Sequence, residues 1–266
     1  MVQEHNQRAA QMWSKGGRDY DWISYNVSDA LAHANNRLWA KPGEKILDVA
    51  TGTGWTARNV ARFGARVTGV DIAEDLLAAA SELSAQVQPP IEFRAADAEA
   101  LPFADGSFDG VISTFGVMFA GNQEQAAREL GRVCRKGGRL VLATWSAEPD
   151  SFVARFFAVM GRHNPAPPPP VSPFEWGRPD RLRQLLGQDF ELAFEPGVTT
   201  FHGPDSSQVW DRFVAGFGPV KALYGSLDES KRENLKRDFI AFHDQFRTEL
   251  GLRLDRAYLL TVGKRR

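Results

Sequence analysis

Cysteine is almost absent from this chain of 266 residues. The single Cys134 rules out a disulfide framework and any cysteine-rich zinc site, so no metal centre is expected. No apolar run approaches the roughly 18–20 residues that a membrane-crossing helix needs. Neither sign of charge is in excess. The 32 Lys and Arg residues stand against 33 Asp and Glu, which argues against a general binder of nucleic acid or of anionic membranes. The opening stretch MVQEHNQRAAQ is polar and lacks the apolar segment of a secretion signal, so a cytoplasmic location is the expectation. No internal repeat is found. What is present is ordinary: 43% apolar residues, enough in a chain of this length to bury a sizeable core without staples.

Residues 1–44 read as amphipathic helices with Trp13, Tyr20, Trp22, Tyr25, Leu31 and Trp39 among their anchors, broken by Pro42-Gly43. From 45 to 146 short apolar runs alternate with helical patterns. Strands are expected at 45–49, 66–70, 91–94, 108–113 and 139–145, and helices at 56–63, 73–86 and 123–134. Such alternation implies a parallel sheet with right-handed crossovers, the doubly wound α/β class, whose ligands bind at the carboxyl ends of the strands. Beyond 146 the pattern loosens. Residues 152–160, 179–186, 206–223 and 229–250 are helical in pattern, 190–201 can hold a strand, and 258–262 forms a final one. Between them Pro165 to Pro170 forms a stiff polyproline spacer. The expected architecture is therefore one Rossmann-like domain over 1–266. It comprises an N-terminal helical lid (1–44), a cofactor-binding core (45–146), mixed cap insertions with a sixth strand (147–257) and a last strand (258–264). The seven-stranded sheet is mostly parallel, with the last strand antiparallel.

Three acidic residues close three successive strands. Asp48 opens DVATGTG, where Gly52 and Gly54 let the backbone turn sharply and approach a ligand with no Cβ in the way. The motif lacks the Lys-Ser/Thr of a P-loop. Asp71 lies at the position where a carboxylate accepts from ribose hydroxyls, which fits nicotinamide and other adenosine cofactors equally well. Asp97 follows the third strand and can accept from an adenine amine. No basic residue for a pyrophosphate stands beside them, so a cationic cofactor such as a sulfonium carrying an ammonium group is favoured.

The run ILDVATGTG, VTGVDIAEDLL, FRAADAEALPFADGSFDGVIS and ELGRVCRKGGRLVLATW resembles a class I S-adenosylmethionine-dependent methyltransferase. Within that group it is similar to the type 11 family and to the ubiquinone/menaquinone C-methyltransferases, over roughly residues 10–146. The common form has glycine where this chain has Ala50; the quinone enzymes often carry alanine there. The resemblance implies that Asp48 orients the methionine ammonium and that Ala50, Gly52, Thr53 and Gly54 give close backbone approach. It also implies that Asp71 binds the ribose hydroxyls, Ile72 packs on the adenine, and Asp97 and Ala98 hold its edge. Thr114 and Phe115 would line the methionine end, and Tyr20 or Tyr25 would face the cofactor from the N-terminal helices. The cofactor is then S-adenosylmethionine, with S-adenosylhomocysteine as product.

Methyl transfer from a sulfonium needs alignment and exclusion of water rather than a metal or a covalent nucleophile. If the acceptor is a hydroxyl, a general base helps, and His163 and His202 are the candidates; His5, His33 and His243 are weaker. After Ser113 the chain reads TFGVMF, without the Asn/Asp-Pro-Pro-aromatic run of nucleic-acid amino methyltransferases. Phe115, Phe119, Trp145, Phe152, Phe156, Phe157, Phe174 and Trp176 suggest an apolar pocket for a small, partly hydrophobic acceptor. Past Trp145 the quinone resemblance fades. Two other readings stay open: an S-adenosylmethionine-binding protein without catalysis, and an NAD(P)-dependent oxidoreductase, which would leave Asp97 and LPFADGSFD unexplained. A homodimer is also left open.

Overall fold

The computed structural model describes residues 2–266. Three short helices come first: α1 (Gln7–Ser14), α2 (Tyr20–Tyr25) and α3 (Ser28–Leu38). Helix α3 ends where Trp39 adopts a left-handed conformation; Trp39 is 72% exposed there and is not the anchor its sequence suggested. The sheet then builds outward from the middle. Strand β1 (Lys45–Val49) pairs in parallel with β2 (Arg66–Asp71) on one side and β4 (Phe108–Thr114) on the other. Strand β3 (Glu92–Ala95) extends the sheet beyond β2, and β5 (Cys134–Trp145) beyond β4. The helices α4 (Trp55–Ala61), α5 (Glu74–Leu83) and α6 (Gln123–Val133) make the crossovers. Cys134 begins β5 rather than ending a helix, and it is buried.

The main path runs β3-β2-β1-β4-β5, then β8 (Gly251–Arg265) and β6 (Phe190–Gly203). Strand β6 and the last strand, β8, are antiparallel to one another, and β8 is antiparallel to β5. Seven strands were expected; the eighth is β7 (Arg247–Thr248), a two-residue hairpin arm on the start of β8. That hairpin, turning through Gly251 at φ 111°, is why the helix expected to reach 250 stops earlier.

Alternation along β1 divides the core. Ile46 faces Ala30, Ala34 and Leu38 of α3 and Val60 of α4, while Leu47 and Val49 face Leu130 of α6 on the other side. Helix α8 (Pro179–Leu186) and the fully buried Trp176 join this second layer. The other inserted helices, α7 (Phe152–Gly161), α9 (Ser206–Gly216), α10 (Gly218–Ser226) and α11 (Glu229–Asp244), enclose a third cluster built on Phe156, Trp210, Phe239 and Phe242. The single helix expected over 206–223 is two. Pro219 has no N–H to continue the ladder, and a Cβ on Gly216 would lie 2.4 Å from the Asp19 carbonyl. The break is where the N-terminal segment crosses the insertion.

Candidate active site

The strand order reverses between β1 and β4, so their carboxyl ends splay apart and leave a crevice. A cavity opens there, about 1600 Å³ when the open space out to its mouth is included. Ala50, Gly52, Asp71, Ile72, Asp97, Ala98, Thr114, Phe115 and Tyr20 all line it. Nine of the twelve residues expected to touch a cofactor are thus brought together.

The loop after β1 is strained in a way its sequence explains. Ala50 (φ 56°), Gly52 (φ 57°) and Gly54 (φ 81°) all sit in the left-handed region. Ala50 is the one residue of the three with a methyl to accommodate, and the room comes from Gly116, where a Cβ would lie 2.4 Å from that of Ala50. The Tyr20 ring covers Gly52, its Cε1 3.3 Å from where a Cβ would be. Gly54 does a different job from the one expected. A Cβ there would strike Phe93 at 2.9 Å, so it lets α4 pack on the sheet and does not line the cavity.

Asp71 is buried. Its Oδ2 accepts from Gly52 N at 2.8 Å and its Oδ1 from Ala73 N at 2.9 Å, so it ties β2 to the loop after β1. Burial pushes its carboxyl above the usual range, against the pull of the Ala73, Gly52 and Ile72 N–H groups. Burial and the Asp71 charge also raise the Tyr20 phenol, which stays neutral. Asp48 is wholly buried behind the cavity wall and is not in it. Its Oδ2 accepts from the Thr51 hydroxyl at 2.6 Å, while Oδ1 has no partner. Burial, with the Asp71 charge adding, pushes its carboxyl up to about 7. Thr53 is likewise behind the wall, its hydroxyl donating to Asp21. Arg58 neutralises that aspartate at 2.8 Å.

Asp97 is held by residues that no local pattern pointed to. Its Oδ2 accepts from Gln3 N and from Asn6 Nδ2, both at 2.9 Å, and its Oδ1 from Glu99 N at 3.0 Å. Asn6 also donates to the buried Glu99 at 2.8 Å, so one amide clasps two carboxylates. Phe115 occupies the left-handed region (φ 58°), unusual for a bulky residue, with its N–H held by the Ala143 carbonyl and its ring stacked on Trp145 at 4.0 Å. Beside it the Thr56 and Thr114 hydroxyls meet at 2.8 Å.

A family model described as a methyltransferase domain matches residues 47–142. An uncharacterized protein of Mycobacterium tuberculosis is 33% identical over 230 residues, covering 85% of this chain and 82% of its own. The demethylmenaquinone methyltransferase of Beutenbergia cavernae is 36% identical over 149 residues, covering 53% of this chain and 59% of its own. Among solved structures, a putative methyltransferase from Bacillus halodurans superposes with a TM-score of 0.61 at 23% identity, covering 88% of this chain and 97% of that one. The chain belongs to the class I S-adenosylmethionine-dependent methyltransferases. The methyltransferase is related to those of quinone biosynthesis, and its strand order with an antiparallel strand beside β5 is the fold expected of the resemblance.

The second half of the cavity is aromatic. Phe119, Trp145, Phe152, Phe156 and Phe157 line it as expected, joined by Trp13 and Trp22 from the N-terminal helices and Phe201, Phe213 and Phe217 from the insertions. Phe174 and Trp176 are not in it: Phe174 packs edge-on against Phe157 and Trp176 is core. Tyr25, 59% exposed, packs on Trp55 outside the lining. The two proposed bases also lie elsewhere. His163 faces Asp238 at 3.0 Å, and His202, next to the lining residue Phe201 on β6, is not itself in the lining. His243 is stacked on Phe239 in the third cluster, where burial lowers its ring to about 4 and keeps it neutral. Among the described residues no cluster of His, Cys, Asp or Glu is arranged to hold a metal ion, and no helix is long and apolar enough to cross a membrane.

Proposed function

We propose that the methyltransferase transfers the methyl group of S-adenosylmethionine to a small, largely apolar acceptor held in the aromatic half of the cavity. The carrying observation is the cavity's continuity. One space runs from the carboxylates of Asp71 and Asp97 to the aromatic walls of the insertions. The residues present suit the cofactor. The lining acids Asp71 and Asp97 supply acceptors for hydroxyls and an amine, and the one basic residue among the described lining residues, Arg256, stands in the aromatic half. When bound, that cofactor supplies a methyl group already activated on a sulfonium. Asp71 would hold the ribose hydroxyls, Ile72 and Ala98 would flank the adenine, and Asp97 would accept from its amine through Oδ1, the less occupied oxygen. Ala50 and Gly52 would let the backbone close on the methionine portion under the ring of Tyr20.

The N-terminal helices and the insertions then act together as a lid. Trp13 packs on both Phe119 and Phe217, at 5.2 and 5.7 Å, closing the aromatic half against water. We assign no histidine base. His163→Ala and His202→Ala are each expected to leave kcat/KM within about threefold of the parent once an acceptor is in hand, because neither group reaches the cavity. A tenfold or greater loss in kcat from either would restore the base.

Isothermal titration with S-adenosylmethionine, S-adenosylhomocysteine and NADH tests the central reading. Binding of both sulfur compounds and none of NADH is expected; NADH binding without them would overturn it. Asn6→Ala should weaken S-adenosylhomocysteine binding by roughly tenfold, since it removes one hydrogen bond to Asp97 and one to the neighbouring Glu99. Unchanged affinity would show that the clasp does not position the adenine end.

A further inference from the structure

The aromatic half of the cavity contains one charge. Arg256, on β8, is the only Lys, Arg or His among the described residues that line the space. Its Nη2 donates to the Asn26 carbonyl, its Nε is buried with no partner, and among the described residues it makes no ion pair. Arg58, buried on α4, is by contrast neutralised by Asp21. The carboxylate nearest in influence, Asp29, is already engaged by the Thr199 hydroxyl and the Ala30 N–H. Burial lowers the Arg256 guanidinium to about 10, so it remains a cation at neutral pH. A half-buried guanidinium with its Nε sealed from solvent and no ion pair is costly, and the surroundings here are apolar: Phe201 lies 5.9 Å from its Cζ.

A second buried donor points the same way. Trp55 Nε1 lacks a partner and its residue also lines the cavity. Trp55 packs on Tyr25 while Arg256 donates to Asn26, so both donors lean on one turn of chain. Among the described lining residues none carries a buried acceptor without a partner. The unmet demand is for oxygen acceptors with negative charge.

Resting on the cofactor reading above, we propose that Arg256 is the specificity anchor for the methyl acceptor, and that the acceptor is an amphipathic organic acid. Its carboxylate pairs with the Arg256 guanidinium, whose planar edge suits such a group. Its ring or chain fills the aromatic half. The strand order fixes the scale. Arg256 leaves the same end of the sheet as Thr114 and Phe115, two strands over and about four residues beyond the level of Thr114, so roughly 16 Å separates the two backbones, a gap the arginine side chain partly spans. The paired carboxylate is therefore the end that is held, and the methylated atom lies at the far end, toward the loops after β1 and β4.

The test uses 2-naphthoate and its neutral isostere 2-naphthamide, titrated into the full chain saturated with S-adenosylhomocysteine. The parent should bind the acid at least tenfold more tightly than the amide. Arg256→Met should bring that ratio below threefold while leaving the amide and S-adenosylhomocysteine affinities unchanged, and Arg256→Lys should keep a reduced preference. Equal binding of the two probes by the parent, no binding of the acid, or a preference that survives in Arg256→Met would each overturn the assignment. A parent that fails to bind S-adenosylhomocysteine defeats the cofactor reading itself and takes the acceptor assignment with it; binding of that compound with no acid preference defeats the anchor alone.

Discussion

Asp71→Ala is expected to lower affinity for S-adenosylhomocysteine by at least about a hundredfold, two hydrogen bonds to a buried carboxylate being worth about 1.5–3 kcal/mol each. The geometry allows those bonds to coexist with the ones already made. Each Asp71 oxygen accepts one backbone N–H, from Gly52 and from Ala73, and a carboxylate has about four acceptor sites. The same two N–H groups are what the alanine leaves unsatisfied, so the variant also loses about 1–3 kcal/mol of stability. Asp71→Asn separates the effects, because the amide oxygen can still serve one N–H while the charge is gone. It should keep most of the stability and still bind at least about tenfold more weakly, the difference between a charged and a neutral acceptor. Calorimetry for affinity and thermal unfolding for stability read both. Affinity within tenfold of the parent in Asp71→Ala would remove this carboxylate from the binding site.

How far the sequence carried is clearest residue by residue. The sheet was legible because β1, β2, β4 and β5 are short apolar runs between helices of ordinary length, and a parallel sheet buried on both faces leaves that signature. Asp71 and the loop at Ala50 and Gly52 were legible because a strand end and a turn are neighbours in sequence. Asp48 and Thr53 lie in the same motif yet face away from the cavity, which alternation along a strand and a left-handed turn decide and composition does not. Asn6 reaches Asp97 across 91 residues and Arg256 reaches Asn26 across 230; no local spacing encodes such pairs. Aromatic content announced an apolar pocket, but which phenylalanines line it depended on how the insertions fold back. Phe201 enters from β6 through its pairing with β8, and Phe213 and Phe217 from α9 and the break at Gly216 to Pro219, where the chain crosses the N-terminal segment. That break was invisible to periodicity, which reads 206–223 as one helix.

Cofactor affinity should rise with pH through neutrality, and Asp48 is the cause. Its folded-state value of about 7 lies well above the ordinary value for an aspartate, because burial, with the Asp71 charge adding, outweighs the pull of the Thr51 hydroxyl and the Ala57 N–H. The ligand-free fold therefore holds a proton there that the unfolded chain releases. Stability from this group is complete below the unfolded value, near 4, and is lost as pH rises through about 7. A cationic ammonium placed beyond Thr51 favours the ionised carboxylate. Unit charges roughly 6 Å apart at an effective dielectric near 20 attract by about 3 kcal/mol, a coupling of about two pK units. Binding then expels the proton, and S-adenosylhomocysteine affinity should fall by roughly tenfold between pH 8 and pH 6. Titrations in buffers of different ionisation enthalpy should show close to one proton released near pH 6 and almost none at pH 8. Asp48→Asn should bind more weakly at pH 8 and lose the pH dependence, since a neutral amide carries no proton to expel. A parent whose affinity is flat from pH 6 to pH 8, with no proton release, would mean that the buried carboxylate supports the Thr51 hydroxyl and the turn without sensing the ligand's charge.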